Sequence, residues 1–175
     1  MSKIKLPAPI EREFFERDAL VVAPELVGCR IVRVLPTGEA RILTITETEA
    51  YMGESDTACH ARHGRTKRNA PLYMRGGVFY VYLCYGVHWL LNAITGEEDR
   101  PQGVLIRACE GHPGPGRLTK ALDISGDFTA KVVDECPGLW FAARERGFSV
   151  GTAERVGIGF ASPEDQARPW RFVAK

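Results

Sequence analysis

The sequence lacks a paired-cysteine framework. Its five cysteines, Cys29, Cys59, Cys84, Cys109 and Cys136, are odd in number, and none forms a C-x-x-C pair. Cys84 and Cys109 lie in apolar runs, where a free thiol behaves as a small hydrophobe. A disulfide-stapled secreted fold is therefore not expected, and a reducing cytoplasm is. No apolar stretch reaches the length that spans a membrane. The N-terminal segment carries Glu11, Glu13 and Glu16 and no long apolar run, so a signal peptide is not expected either. No repeat, low-complexity tract or linker divides the 175 residues, which fit one domain able to bury a core. Net charge is also scarce: 23 Lys and Arg against 22 Asp and Glu give a formal +1. Bulk charge thus does not point to a polyanionic partner. One absence is local. Asp and Glu are missing from Thr57 to Gly96, a stretch that holds Arg62, Arg65, Lys67, Arg68 and Arg75. One reading is a basic face on a nearly neutral molecule; the other is a solvated surface with its acids elsewhere.

What is present reads as helices followed by hairpin-linked strands. Residues 8–30 predict short helices with Pro9 and Pro24 near helix starts and Gly28 ending the second. Ile31–Leu35, a Pro36-Thr37-Gly38 turn and Arg41–Tyr51 form a hairpin signature. Residues 52–72 are polar, basic and irregular, a long surface loop of the kind that is uncommon unless functional. Val78–Cys84, Val87–Thr95 and Gly103–Cys109 predict apolar strands, and Arg117–Leu122 a helix. Residues 134–175 offer short elements, and 145–175 carry no readable motif. This order indicates an α+β domain with an antiparallel sheet.

Four constellations carry chemistry. In Glu47-Thr48-Glu49-Ala50-Tyr51, strand alternation puts Ile45, Glu47, Glu49 and Tyr51 on one face. Two glutamates there contradict strand preference, which marks either an exposed face or a functional site. All five tyrosines fall between residues 51 and 85. Tyr85-Gly86 falls where the chain must turn, a place better suited to Asn or Asp. An aromatic at such a tip, beside a basic loop, suggests a wedge into a base stack; aromatic core packing is the plainer reading. Arg107, inside the apolar run Gly103–Cys109, needs a carboxylate to offset its desolvation, and Glu49 and Glu47 are candidates. Asn92, in an apolar run, can read a base edge or satisfy neighbouring backbone. A metal site built on Cys59, His60 and His63, Cys84/His88 or Cys109/His112 matches no known zinc spacing, so no metal or cofactor is expected.

Thr46–Gly53 (TETEAYMG), Asp56 to His60, Arg68-Asn69, Tyr80–Gly86 (YVYLCYG), Asn92, Val104–Arg107 (VLIR) and Gly114–Leu122 together resemble the methylpurine (3-methyladenine, alkyladenine) DNA glycosylases, from about Leu20 to about Trp140. The resemblance implies one domain over residues 1–175. It further implies a mainly antiparallel curved sheet, flanking short helices and a protruding β-hairpin. It implies an enzyme of base excision repair that flips a damaged purine (3-methyladenine, 7-methylguanine, hypoxanthine or ethenoadenine) from duplex DNA and hydrolyses its N-glycosidic bond without cutting the strand. The role of general base then falls on Glu49, and that of holding the attacking water on Arg107. Tyr51, His60 and Tyr82 would sandwich the base, and Asn92 would disfavour guanine. Tyr85 would fill the vacated stack, with Leu72 as a second wedge, and Arg68 and Arg65 would contact phosphates. The expected partner is double-stranded DNA, bound by a monomer in the cytoplasm or on the nucleoid. The alternative is a non-catalytic module that binds damaged DNA.

Overall fold

The computed structural model describes residues 5–175. After a 3-10 turn at Arg12–Glu16 comes helix α1 (Ala19–Leu26). Asp18 starts this helix by accepting the Leu20 N–H at 2.8 Å, which satisfies one of the free amides of the first turn. The sequence places Pro24 near a helix start, but the structure puts it inside α1. The cap at Asp18 and the unbroken apolar run behind it make one helix of these residues. A proline in so short a helix removes only the bond to one carbonyl. Gly28 follows with φ of 88° and turns the chain into the sheet, as expected of a helix end.

The strands are β1 (Arg30–Val34), β2 (Ala40–Tyr51), β3 (Phe79–Cys84), β4 (His88–Ile94), β5 (Gly103–Cys109), β6 (His112–Pro113), β7 (Leu139–Ala142), β8 (Val150–Ala153) and β9 (Arg171–Ala174). Helices α2 (Pro115–Ala121) and α3 (Pro163–Ala167) fall between them. One curled sheet runs β3-β4-β5-β2-β1-β7, with β6 on β5, β9 on β2 and β8 on β9. Every strand pair is antiparallel. This is the α+β architecture expected from the order of elements. β2 is long because it works twice: Ala40–Thr44 pair with β1, while Ile45–Tyr51 pair with β5 and, at 47–49, with β9.

The main core lies where α1 packs on β2 and β5, with Val22, Leu26, Ile45, Ala50, Phe79, Leu91, Val104 and Ile106 buried together. Residues 52–72, a surface loop by sequence, are pinned more firmly than that. Ala58, Cys59 and Ala61 are buried. Asn69 donates to the carbonyls of His60 and Gly64 and accepts the Thr66 N–H. An Asn side chain replaces secondary structure here by satisfying the loop's own backbone.

Candidate active site

Side chains on β2 do not keep one alternation throughout. The β2–β5 register shifts twice, between Ile45 and Glu47 and between Glu47 and Thr48. Ile45 is buried in the core with Ala50, and Thr48 donates to the Ala23 carbonyl of α1 at 2.7 Å. The expectation that Ile45 shares a face with Glu49 is therefore corrected. A bulge reverses the parity, so Ile45 joins the core side while Glu49 and Tyr51 turn the other way. On β5 the partner of Thr48 is Ile106 and the partner of Glu47 is Ala108, which leaves Arg107 as the extra residue. A bulge re-aims a side chain in this way. Val104 and Ile106 enter the core, and Leu105 and Arg107 line a cavity.

The Glu49 carboxylate is 0% exposed. Its Oε2 accepts the Tyr51 hydroxyl at 2.8 Å and its Oε1 accepts the Val156 N–H at 2.8 Å. Arg107 Nε stands 3.6 Å from Oε1, an ion contact longer than a hydrogen bond. Burial pushes the Glu49 carboxyl above the usual glutamate range; the Val156 amide, Arg107, the Tyr51 hydroxyl and Arg155 pull it back down in part. Of the two carboxylates considered for Arg107, the structure brings Glu49. Glu47 instead accepts from Arg171 of β9 at 3.1 Å.

Beside Glu49 opens a cavity of about 650 Å³, lined by Tyr51, His60, Leu72, Tyr82, Asn92, Arg107 and Val156 among others. Its walls come from residues that alternate with core residues on β3 and β4: Tyr80 and Tyr82 face it, Phe79 and Val81 the core. His60 packs against Tyr82 with centroids 4.4 Å apart and ring planes inclined at 58°, and its Nδ1 lies 3.1 Å from the Tyr80 hydroxyl. Burial, with Arg68 and Arg62 nearby, lowers the His60 pKa to about 4, so the imidazole is neutral at pH 7. Burial pushes the Tyr80 phenol up to about 12 and holds Tyr51 and Tyr82 well above the usual phenol range. These rings stay protonated. Asn92 donates from Nδ2 to the carbonyls of Tyr80 and Leu90 at 3.1 and 3.4 Å, which fixes its orientation.

The β3–β4 hairpin ends in a turn closed by the Val87 N–H on the Cys84 carbonyl. Tyr85 has φ of 50° and Gly86 of 66°, left-handed at both central positions. That is unusual for a bulky residue and costs it roughly 1–2 kcal/mol. Tyr85 is 94% exposed, so no packing offsets this strain. Leu72 is placed differently from its expected role. It is 4% exposed and packs with Tyr73, Tyr80 and Ile94. A side chain buried this way is part of the cavity wall and not a free wedge. Arg68 is exposed and donates to the Leu83 carbonyl on the hairpin. Arg65 lies over the Tyr73 ring and faces Asp99 at 3.5 Å.

Sequence reasoning missed the C-terminal contribution. Val156, Gly157, Ile158 and Phe160 line the cavity, and Phe160 is 63% exposed with the Arg62 guanidinium 4.9 Å above its ring. Arg155 and Asp56 form a fully buried ion pair at 2.6 Å. The one available signal was an Arg beside Gly-Ile-Gly, which suggests no partner by itself. Two of the cysteine–histidine pairs stand opposite one another in their strand registers, Cys84 with His88 and Cys109 with His112. Cys109 is in the core with its thiol pushed up to about 12, and His60 is engaged with tyrosines. Among the described residues no cluster of three or more His, Cys, Asp or Glu could hold a metal ion, and no helix is long and apolar enough to cross a membrane.

Comparison with known proteins gives one consistent result. The methylpurine-DNA glycosylase family model matches residues 13–112. A relative from Nitrosococcus oceani is 40% identical over 179 residues, covering 91% of this chain and 87% of its own. One from Borreliella burgdorferi is 38% identical, covering 95% and 96%. One from Methanocella arvoryzae is 37% identical, covering 95% and 92%. All three carry the provisional name 3-methyladenine DNA glycosylase.

Proposed function

The chain belongs to the methylpurine-DNA glycosylase family, and from that premise we propose that it removes alkylated or deaminated purines from duplex DNA by hydrolysis, with Glu49 activating the water. The observation that carries this reading is the buried carboxylate of Glu49, held by Tyr51, Arg107 and Val156, which themselves line an aromatic cavity of about 650 Å³. That volume lies within the usual range for small-molecule sites, about 300–1,000 Å³.

A stacked purine cannot present its glycosidic carbon to a water, so the nucleotide is turned out of the helix. Tyr85, exposed at the hairpin tip, enters the gap. Phe160, exposed at the cavity, and Val87, exposed beside Tyr85 on the hairpin, extend the apolar contact, and Arg62, Arg68 and Arg117 supply positive charge around it. In the cavity Tyr51 and Tyr82 present π faces to the base. For a purine that carries alkyl positive charge this is worth about 0.5–2 kcal/mol. A neutral His60 adds stacking without repelling that cation. Asn92, fixed by two strand carbonyls, leaves no room for the exocyclic amino group of guanine.

In the reaction Glu49 takes a proton from water while the water oxygen bonds to C1′. The C1′–N bond breaks and its electron pair goes to the purine. A cationic base leaves neutral, so it needs little acid help. The developing positive charge on the sugar is stabilised by the same carboxylate. No lysine lines the cavity among the described residues, which supports hydrolysis over a covalent imine and an abasic product with an unbroken strand.

Incubation with duplexes holding 3-methyladenine, 7-methylguanine, hypoxanthine or 1,N6-ethenoadenine, scored for free base and strand integrity, tests the proposal. Free base and an intact abasic strand are expected. Binding without base release from any lesion would leave the non-catalytic module as the reading.

A further inference from the structure

Both groups that hold the Glu49 carboxylate lead to a single buried cation. Val156, whose N–H binds Oε1, is the next residue after Arg155, and the Tyr51 ring lies 4.8 Å from the Arg155 guanidinium. The Trp170 ring lies 5.0 Å from the same guanidinium. In plane, the guanidinium makes four hydrogen bonds. Two go to Asp56, at 2.6 and 2.9 Å, and one each to the Ala50 carbonyl at 3.0 Å and the Asp165 carbonyl at 3.2 Å. Asp56 in turn accepts the N–H groups of Met52 and Ala58, each at 3.0 Å. The pair therefore ties three segments together: the end of β2, the loop after it, and the C-terminal arm. Both partners are 0% exposed. Burying an ion pair is at best weakly stabilising compared with an apolar substitute, and Arg155 Nε is left without a partner. Fold stability alone does not account for such an arrangement.

We propose that the Arg155–Asp56 pair is a positioning device for the catalytic carboxylate, which holds the Val156 N–H and the Tyr51 hydroxyl onto Glu49. Arg155 does not line the cavity and acts through its neighbours. The proposal rests on the glycosylase reading for its consequence in catalysis. The charged and titratable groups facing Glu49 are Tyr51 on β2, Arg107 on β5, Tyr82 on β3 and Arg155 itself; Glu47 and Arg171, on β2 and β9, neutralise one another. Arg155 and the Val156 amide both lower the Glu49 pKa against burial, so loosening the pair raises it.

The test is Arg155→Lys, which keeps the charge but loses the flat bidentate contact, with Asp56→Glu, which keeps the opposite charge, as the second variant should the first not fold. Single-turnover excision is followed against pH, with hydrogen exchange of the Val156 amide measured on the same proteins. The acid limb of the rate should move up by about one pH unit, and exchange at Val156 should rise tenfold or more, while affinity for an abasic-site analogue stays within about threefold. A folded variant with an unmoved acid limb and an unchanged Val156 amide overturns the proposal. If the wild type releases no base, the glycosylase reading fails. The exchange measurement still decides whether the pair holds the Val156 amide on Glu49.

Discussion

Beneath β2 and β5, the side chains of Thr48, Ala50, Val104 and Ile106 meet α1 and the main core. One residue along the same strands, Glu49, Tyr51, Leu105 and Arg107 turn to the cavity side. The two faces share a backbone and obey different rules. On the core face apolar area is removed from water, at roughly 25 cal/mol per Å², and the one polar group, Thr48, is satisfied by a helix carbonyl. On the cavity face a carboxylate is held dry above its ordinary pKa, an arginine is aimed by a bulge, and a neighbouring hairpin carries a tyrosine in a left-handed conformation. Neighbouring groups hold the carboxylate and the arginine in place, whereas no packing offsets the strain at the exposed Tyr85. The contrast teaches that the cavity face is organised for chemistry at some expense in stability.

The strongest way to break this comparison is Glu49→Gln. Loss of the base should lower excision by about 10²–10⁴-fold. The folded pKa of Glu49 lies above its unfolded value. The stability linked to this group is therefore full below the ordinary glutamate range and is lost as pH rises through the folded value. At neutral pH the glutamine variant should thus unfold at a temperature no lower than the wild type, with the gap closing in acid. A variant that is inactive and clearly less stable at pH 7 would show that the carboxylate serves the fold.

Neighbouring positions on β5 sharpen the contrast. Ile106→Ala, on the core face, should cost about 2–5 kcal/mol in denaturant unfolding. Leu105→Ala, on the cavity face, should cost less and change the KM for damaged DNA more. Equal losses at both positions would mean that the cavity wall is ordinary core. At the hairpin, Tyr85→Gly should stabilise the free protein by up to about 1–2 kcal/mol, since glycine adopts the left-handed turn without strain, while weakening the complex with flipped DNA. The last effect, at His60, shows only in acid. Its folded pKa of about 4 lies below the ordinary histidine value, so its contribution to stability is present above pH 6.5 and is lost as pH falls through about 4. His60→Phe should flatten the acid side of a thermal-unfolding profile; an unchanged profile would place the imidazole in water.

Much of the site was legible because it is local. Glu49 and Tyr51 sit on one strand, where a period of two places them on one face, and Tyr85 sits at the turn that ends the strand of Tyr82. The hairpin strain at Tyr85 could be read from the misfit of a bulky residue in a Tyr-Gly turn. Other features were out of reach for definite reasons. Ile45 was put on the wrong face because a bulge shifts parity without changing composition. Leu72 took its wedge role from the family resemblance alone, yet it is buried with Tyr73, Tyr80 and Ile94. The C-terminal arm gave no motif because its contacts are single long-range ones.

The sequence by itself determined which residues could do chemistry and which elements carry them. It did so through alternation, turn residues and a motif order shared with the methylpurine-DNA glycosylases. Tertiary structure alone decided that Val156 reaches Glu49 across 107 residues and Arg155 reaches Asp56 across 99. The physical reason is that a strand's own pattern specifies only which face each side chain takes. Which distant segment closes over that face, and whether a buried charge there is matched, is settled when β9 pairs with β2 and draws the arm across the cavity.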